Sequence, residues 1–268
     1  MDVILVSVII LCVCGLLAGV GLSVASKIFS IKVDPRISSL EKILPGANCS
    51  GCGFPSCFAY ARAMVEDHIE PNLCVMGADR ISEIGKVLGI DAEGKERLVA
   101  AIRCGGGQNS AKQYDYSGIP SCQAICFFDG GDSKCEFSCL GFGDCVSVCP
   151  FGAVTRDGRN APVVDSQLCV GCGRCVEECP KDIIVLVPES ARPLPACKTH
   201  EKGKFVKSIC PVGCIKCRIC IRECPEDAIA MVDDIIQVDY EKCTKCGICI
   251  EKCPRNIILD RWLERKHP

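Results

Sequence analysis

The cysteines near the C-terminus have types and spacing that suit one kind of chemistry. Cys243, Cys246 and Cys249 stand at intervals of three residues, and Cys253-Pro254 follows them. Three closely spaced thiolates can surround one iron–sulfur cube, while a fourth displaced along the chain reaches a neighbouring cube. Zinc sites usually take their ligands as two Cys pairs, so a third Cys between two others disfavours zinc. The run therefore predicts iron–sulfur ligation.

Cysteine is abundant throughout the chain, with 27 among 268 residues. Such density usually indicates a disulfide scaffold in a short secreted protein. Here the chain is long, the count is odd and the spacing suits metals, so a disulfide framework is disfavoured. Aromatic residues make up only 5%, and cubes held by thiolates can replace part of a hydrophobic core. The net charge of −2 gives no indication of a nucleic-acid partner.

A Cys-Pro pair recurs along the second half of the chain, each time followed shortly by an apolar pair. The four copies are Cys149-Pro150, Cys179-Pro180, Cys224-Pro225 and Cys253-Pro254. Internal repeats outrank other signals when a fold is assigned. The second and third copies lie furthest apart, which predicts two modules separated by an insertion. Each module is expected to contain a hairpin, residues 153–155 with 162–165 around Asp157-Gly158, and residues 228–232 with 235–239.

Exchange of the fourth ligand between the two runs of a module gives the predicted cluster ligands. Cluster 3 is assigned Cys149, Cys169, Cys172 and Cys175; cluster 4, Cys214, Cys217, Cys220 and Cys253; cluster 5, Cys224, Cys243, Cys246 and Cys249. The remaining run is irregular, because Phe142 stands where a middle ligand is expected. Cys135 is the natural substitute, so cluster 2 is predicted to bind Cys135, Cys139, Cys145 and Cys179. A three-iron cluster without Cys135 is the alternative.

A separate cysteine motif precedes the modules. Its members are Cys49, Cys52, Cys57 and the more distant Cys74. Gly51 and Gly53 allow the backbone to turn tightly around a cofactor, and Pro55 suits the first turn of a helix that carries Cys57. Zinc would also fit four such ligands, and the neighbouring runs favour a [4Fe–4S] cluster, cluster 1. A short amphipathic helix is expected before it, over residues 34–44.

The segment between the motif and the modules is expected to be a connector. Residues 80–102 are predicted to form two helical pieces, interrupted near residues 89–94, that pack against the first cluster domain. The glycines at 105–107 lack the signature of a phosphate-binding loop, and residues 108–120 are interpreted as a linker.

Five cysteines outside the N-terminal segment belong to none of these sets: Cys104, Cys122, Cys126, Cys197 and Cys210. Four ligands are enough for one more cube. The hypothesis is a sixth cluster that bridges the modules through Cys104, Cys122, Cys197 and Cys210, with Cys126 spare in an apolar stretch. The alternative is a set of unligated buried thiols.

The N-terminal residues 3–25 carry no charge and are long enough to cross a bilayer. A cleaved signal peptide would have a basic start and a shorter apolar stretch, whereas this segment begins with Asp2. Lys27, Lys32 and Arg36 follow the segment, so the positive-inside rule places the rest of the chain in the cytoplasm. Thiols stay reduced in that compartment.

The anchor, the segment Leu44-Pro-Gly-Ala-Asn-Cys-Ser-Gly-Cys-Gly53 and the Cys-Pro repeats together resemble the B subunits of Rnf complexes, which are ion-translocating ferredoxin:NAD oxidoreductases of bacterial membranes. The resemblance implies an electron-transfer subunit in the bacterial plasma membrane, with its clusters on the cytoplasmic side. Soluble ferredoxin is the implied donor, and the other Rnf subunits are the implied partners. The complex would reduce NAD and move Na⁺ or H⁺, while this chain is expected to carry neither flavin nor NAD.

The sequence thus predicts an α+β chain with one N-terminal transmembrane helix, a small helical [4Fe–4S] domain and two bacterial-type 2[4Fe–4S] ferredoxin modules. The predicted boundaries are anchor 1–27, four-cysteine domain 34–80, connector and linker 81–121, first module 122–190, insertion 191–213 and second module 214–268. An acidic ferredoxin could dock on Lys198, Lys202, Lys204, Lys207, Lys242 and Lys245. The alternative functions are a polyferredoxin subunit of a membrane hydrogenase or formate-oxidising complex, and a zinc-stapled membrane scaffold.

Overall fold

The computed structural model describes residues 2–28, 34–77, 80–92, 94, 96–157 and 160–260. Some residues used above lie outside this part of the chain: Lys32 after the anchor, Gly158 of the predicted turn, and residues 261–268 at the end of the second module.

Helix α1 (Asp2–Ile28) contains a segment, Ile4–Ser26, whose length and mean hydropathy of 2.8 suit a bilayer span. It is the one such helix in the described part of the chain. None of this segment is buried against the rest of the protein, and Leu11 and Leu22 expose more than 70% of their surface. Because contiguous apolar surface of this extent is costly in water, the exposed surface of α1 indicates that this helix anchors the chain in a membrane.

Three helices form the domain that follows: α2 (Pro35–Ile43), α3 (Cys57–Glu66) and α4 (Ile81–Leu88). Asp34 caps α2 by accepting the Arg36 N–H, and Pro35 occupies its first turn. The core joins all three helices through Leu40, Tyr60 and Ile84, each at most 1% exposed. The two helices predicted before and after Cys49 are confirmed.

Residues 98–102, predicted to be helical, instead form strand β1 (Leu98–Ile102). It pairs antiparallel with β4 (Ile184–Pro188), so that Ile102 lies opposite Ile184. A run of five apolar residues carries no periodicity that separates a buried helix from a strand, and here the partner strand decides. The prediction of a second helical piece packed on the first domain is wrong: Val99 and Ile102 lie in the core of the first module.

The remaining elements of the first module are short. They are a 3₁₀ turn at Gly107–Asn109, α5 (Cys122–Cys126), α6 (Asp144–Ser147), β2 (Val154–Arg156), β3 (Pro162–Val164) and α7 (Arg174–Glu177). Strands β2 and β3 form the predicted hairpin, with Val154 opposite Val164.

The second module has a matching order of strands. Its elements are β5 (Leu194–Pro195), α8 (Gly203–Ile209), α9 (Ile219–Arg222), β6 (Ile229–Val232), β7 (Ile235–Val238), α10 (Ile248–Glu251) and β8 (Ile258–Leu259). The predicted hairpin is confirmed as β6 paired with β7. Strand β5 pairs with β8, so the insertion supplies the first strand of the second module, as the connector does for the first.

Each Cys-Pro pair ends in the same turn. The residue three positions after each cysteine has a positive φ: Gly152 (63°), Asp182 (49°), Asp227 (49°) and Asn256 (49°). Glycine, aspartate and asparagine are the residues that adopt this conformation most readily. Each N–H at this position donates back to the carbonyl of its cysteine, and the turn sends the following apolar pair into the core.

Candidate iron–sulfur sites

Site 1 lies in the helical domain and contains the predicted set Cys49, Cys52, Cys57 and Cys74. The Cys57 N–H donates to Asn48 Oδ1 at 2.8 Å, which fixes the start of α3 beside the Cys49 loop. Tyr60 Oη donates to the Glu70 carbonyl at 2.7 Å and accepts the Leu73 N–H at 3.1 Å, which holds the segment before Cys74. Burial raises the pKa of Cys74, and its three partner cysteines, as thiolates, raise it further. The four sulfurs therefore share one environment.

Site 3 is a cavity in the first module lined by all four of its predicted ligands, Cys149, Cys169, Cys172 and Cys175. The N–H of Ala100, on β1, lies 3.3 Å from Cys169 Sγ. Strand β1 thus closes the cavity and provides a hydrogen bond to one of its sulfurs.

Site 4, in the second module, is a cavity lined by its predicted set, Cys214, Cys217, Cys220 and Cys253. Site 5 follows it. Burial raises the pKa of Cys249 to about 11, and Cys220, Cys243 and Cys246, as thiolates, add to the shift. Cys249 therefore lies near Cys243 and Cys246 of its predicted set and near Cys220 of site 4. The fourth predicted member, Cys224, packs in the same core cluster.

Site 2 differs from the expectation in one member. Its cavity is lined by Cys122, Cys139, Cys145 and Cys179, and not by Cys135. The reason is the fixed position of α5: Ser121 caps this helix and its Oγ donates to Asp144 Oδ2 at 2.8 Å. Asp144 immediately precedes Cys145, so this contact brings Cys122 beside it.

Cys135 instead lines another cavity, site 6, with Cys104, Cys197 and Cys210. The structure therefore exchanges Cys122 and Cys135 between the two predicted groups. Cys126 lines neither cavity, and its Sγ lies 3.8 Å from the Gly130 carbonyl oxygen. The sequence signal that was missed is that Cys135 precedes Cys139 by the same distance as Cys210 precedes Cys214.

The donor sets fit cubes better than single ions. In the part of the chain that the structure describes, no three Cys, His, Asp or Glu side chains converge closely enough to hold one metal ion. Zinc bonds each thiolate at about 2.3 Å, which requires such convergence. A cube places its four ligands on four separate irons and needs sulfurs spaced around a cavity, as they are here.

Several of these thiols are also too buried to act as free nucleophiles. Burial raises the pKa of Cys145, Cys175 and Cys197 to about 12 in each case. A reactive cysteine needs the opposite, a lowered pKa and access to solvent. Buried thiolates become stable when a cationic centre binds them, and such binding also stabilises the fold.

The thiol-lined cavities, on short paired strands and single-turn helices, define an iron–sulfur protein of the multi-cluster electron-transfer class. Two family profiles agree with this class. A family described as "Putative Fe-S cluster" matches residues 44–76, and the "4Fe-4S dicluster domain" family matches residues 134–183 and 213–257.

Relatives of known family extend the match to most of the chain. The B subunit of the ion-translocating oxidoreductase complex of Methanosarcina acetivorans is 39% identical over 243 residues, 90% of this chain and 92% of the relative. The B subunit of the Na(+)-translocating ferredoxin:NAD(+) oxidoreductase complex of Acetobacterium woodii is 38% identical over 90% of this chain and 73% of the relative. The B subunit of the proton-translocating ferredoxin:NAD(+) oxidoreductase complex of Clostridium ljungdahlii is 38% identical over 216 residues, which are 80% of this chain and 76% of the relative. The chain belongs to the family of B subunits of ion-translocating, or Rnf, oxidoreductase complexes.

Proposed function

We propose that this chain is a membrane-anchored electron relay that accepts electrons from reduced ferredoxin and passes them on within an Rnf-type complex. That complex would reduce NAD and move Na⁺ or H⁺ across the membrane, as the names of the relatives state for those proteins. The observation that carries the proposal is the closeness of neighbouring cysteine sets, since Gly51 packs on Cys172 and Cys145 lies near Cys175.

Five [4Fe–4S] clusters are proposed at sites 1 to 5, with ligands from the structural grouping. Sites 1, 3, 4 and 5 keep the sets predicted from the sequence. Site 2 takes Cys122, Cys139, Cys145 and Cys179. A bound cube supplies reversible one-electron chemistry, and the protein tunes it through burial and hydrogen bonds to the sulfurs.

The proximity of neighbouring sites supports an order for the relay from the helical domain through the first module. A Cβ added to Gly51 would lie 3.0 Å from Cys172 Cα, so the Cys49 loop of site 1 touches site 3. After burial, which is the main cause, Cys145 of site 2 is among the thiolates that raise the pKa of Cys175 of site 3. Sites 1, 3 and 2 therefore lie in succession.

Electrons are proposed to enter at the second module. Cys217 of site 4 and Cys246 of site 5 are exposed, unlike any other proposed ligand of sites 1 to 5 in the described chain. Each has a basic exposed neighbour, Arg218 or Lys245, and a positive rim of this kind attracts an acidic partner. Site 1 would be the exit, because its domain follows the anchor in sequence.

The cluster domains are proposed to face the cytoplasm. Arg36 follows the anchor, and cytoplasmic flanks are enriched in Lys and Arg. Its guanidinium pairs with Asp34 at 2.8 Å, but the positive-inside rule counts basic residues, since acidic ones contribute little.

The proposal is tested by mixing the anaerobically purified full chain with reduced ferredoxin in a stopped-flow spectrometer. The expected result is bleaching of the visible absorbance of this chain on a millisecond-to-second scale, with no bleaching by NADH alone. Failure of reduced ferredoxin to reduce a fully loaded protein would reject the donor. Copurification from native membranes with a hydrogenase, and not with flavin-bearing subunits, would favour the polyferredoxin alternative.

A further inference from the structure

The two modules carry two additional cysteines each, at corresponding positions. Cys104 stands two residues after the end of β1, and Cys197 stands two residues after the end of β5. These strands pair in the same way with the last strand of their own module, Ile102 with Ile184 and Pro195 with Ile258. Cys104 and Cys197 therefore occupy equivalent positions in two copies of one fold.

The second pair also repeats. Cys135 precedes Cys139, the first run ligand of the first module, by the spacing C-x3-C, and Cys210 precedes Cys214 of the second module by the same spacing. Cys104 and Cys135 thus correspond to Cys197 and Cys210.

The structure brings both pairs to one place between the modules. Cys104 and Cys197 form an antiparallel bridge, and pairing of equivalent residues in this way relates the two modules by a local twofold axis. The Gly105 N–H donates to the Ala196 carbonyl at 2.8 Å and fixes the contact. Cys135 and Cys210 complete the lining of the cavity, and both are buried.

The cavity has the size and clearance of the cluster sites. The space within the cavity and at its open mouth is about 350 Å³, equal to that of site 4. A Cβ added to Gly106 would lie 3.1 Å from Cys210 Sγ and 3.8 Å from Cys104 Sγ, so a side chain there would occupy the space between the sulfurs. The Arg255 guanidinium donates to the Cys210 carbonyl, and Arg103 lines the cavity, so positive charge lies close to the four thiols.

The same sulfurs touch the sites on either side. The Cys139 N–H lies 3.3 Å from Cys104 Sγ, and the Cys214 N–H lies 3.4 Å from Cys197 Sγ. Cys139 belongs to site 2 and Cys214 to site 4. Each hydrogen bond joins a thiol of the shared cavity to a ligand residue of its own module, so the twofold relation extends to the contacts outside the cavity.

We infer that Cys104, Cys135, Cys197 and Cys210 bind a sixth [4Fe–4S] cluster on the local twofold axis between the modules, and that it connects site 2 to site 4. Three of these ligands lie outside the residues that the family profiles match. The inference deepens the proposed function, because it joins the two modules into one path in the order site 1, 3, 2, 6, 4 and 5.

The test is an iron count and an EPR spectrum on the full chain, purified anaerobically in detergent. Wild type is expected to hold about 24 irons per chain, since each cube contributes four. The double variant Cys104→Ser/Cys197→Ser is expected to hold about 20 irons per chain. The EPR signals of sites 2 and 4 should also lose the magnetic broadening that a cluster at site 6 causes. Cys126→Ser is the matched control and is expected to keep the wild-type count.

A wild-type count of about 20 irons, or equal counts in wild type and the double variant, would overturn the inference. If the double variant does not fold, Cys135→Ser and Cys210→Ser provide a second test, in which each should lower the iron count or convert one cluster to a three-iron form. An iron count and EPR spectrum equal to those of wild type in both single variants would also reject the site. Reduction by ferredoxin of a protein with about 20 irons would leave the proposed function standing, whereas zinc in place of iron would reject both.

Discussion

The backbone N–H of Ala100 donates to the Sγ atom of Cys169 at 3.3 Å, and the second module lacks this donor. The position that corresponds to Ala100, four residues before the bridging cysteine, is Pro193. Proline has no N–H, so it cannot donate to Cys243, which corresponds to Cys169. Hydrogen bonds to the sulfurs are one of the factors that set cluster potentials. They stabilise the reduced cluster, because it carries one more negative charge than the oxidised cluster. We therefore expect the cluster at site 3 to have a more positive potential than the cluster at site 5.

The measurement is an anaerobic redox titration followed by EPR. Cys172→Ser and Cys246→Ser alter matched positions of sites 3 and 5. The EPR signal that changes in each variant is thereby assigned to the cluster of that site. A more positive potential at site 3 would direct electrons from the second module to the first. The reverse order would show that another factor outweighs the Ala100 hydrogen bond.

The ligand exchange at site 2 predicts different results for two neighbouring cysteines. Cys122→Ser removes a residue that lines the site 2 cavity, so it should cost the chain about one to four irons and change one EPR signal. Cys126→Ser, one helical turn away on α5, should leave both unchanged. If Cys122→Ser keeps its full iron content, Cys122 is not a ligand.

A buried tyrosine holds the segment that carries Cys74 to site 1. Tyr60 is 1% exposed, and its hydroxyl holds the segment before Cys74 by two hydrogen bonds. Tyr60→Phe leaves the Leu73 N–H without this partner, which should cost about 1–2 kcal/mol. We expect chelators to bleach the site 1 signal faster in this variant. Tyr116→Phe, which removes an exposed hydroxyl bonded to the Ile119 carbonyl, should bleach at the wild-type rate.

The anchor should be separable from the clusters. None of the segment Ile4–Ser26 packs on the rest of the described chain, and α2 has its own N-terminal cap in Asp34. A chain that begins at Asp34 should therefore stay in the supernatant after ultracentrifugation and keep the iron content of the full chain. Loss of iron on truncation would show that α1 supports the cluster domains.

The sequence predicts the parts of this fold that rest on local chemistry. Both hairpins follow from alternating apolar strands around a turn, and α2 from Asp34-Pro35, which cap and begin a helix. Residues 98–102 were predicted wrongly because their strand character depends on a distant partner strand, at 184–188. Long-range pairing of this kind leaves no periodic signal in a short apolar run.

The grouping of cysteines shows the same limit. Regular runs fix their own ligands through spacing, and sites 3 and 4 contain the sets that the spacing predicts. Cys122 and Cys135 both precede the irregular run. Contacts of Ser121 and Gln123 with Asp144, and of Gln123 with Glu178, hold α5 so that Cys122 reaches site 2. Alignment of the two modules beyond their Cys-Pro ends would have matched Cys135 with Cys210.

Arg218 occupies a position where the other cluster runs have glycine. Its φ is +59°, and the equivalent Gly143, Gly173 and Gly247 have φ between 81° and 89°. A residue with a Cβ pays about 1–2 kcal/mol in this conformation, and Arg218 stands beside the exposed Cys217. This strain is consistent with a role in docking. Arg218→Gly should keep the fold, raise stability by about 1 kcal/mol and slow ferredoxin oxidation at low salt.

The rate of cluster reduction by ferredoxin at several salt concentrations checks this prediction. Loss of one charge at a docking rim should lower the association rate by about two- to tenfold at low ionic strength, and the difference should shrink as salt screens the attraction. Lys86→Gln, on the exposed face of α4, removes a charge far from site 4 in sequence and serves as the control. If both variants react at the wild-type rate at every salt concentration, ferredoxin does not dock at Arg218.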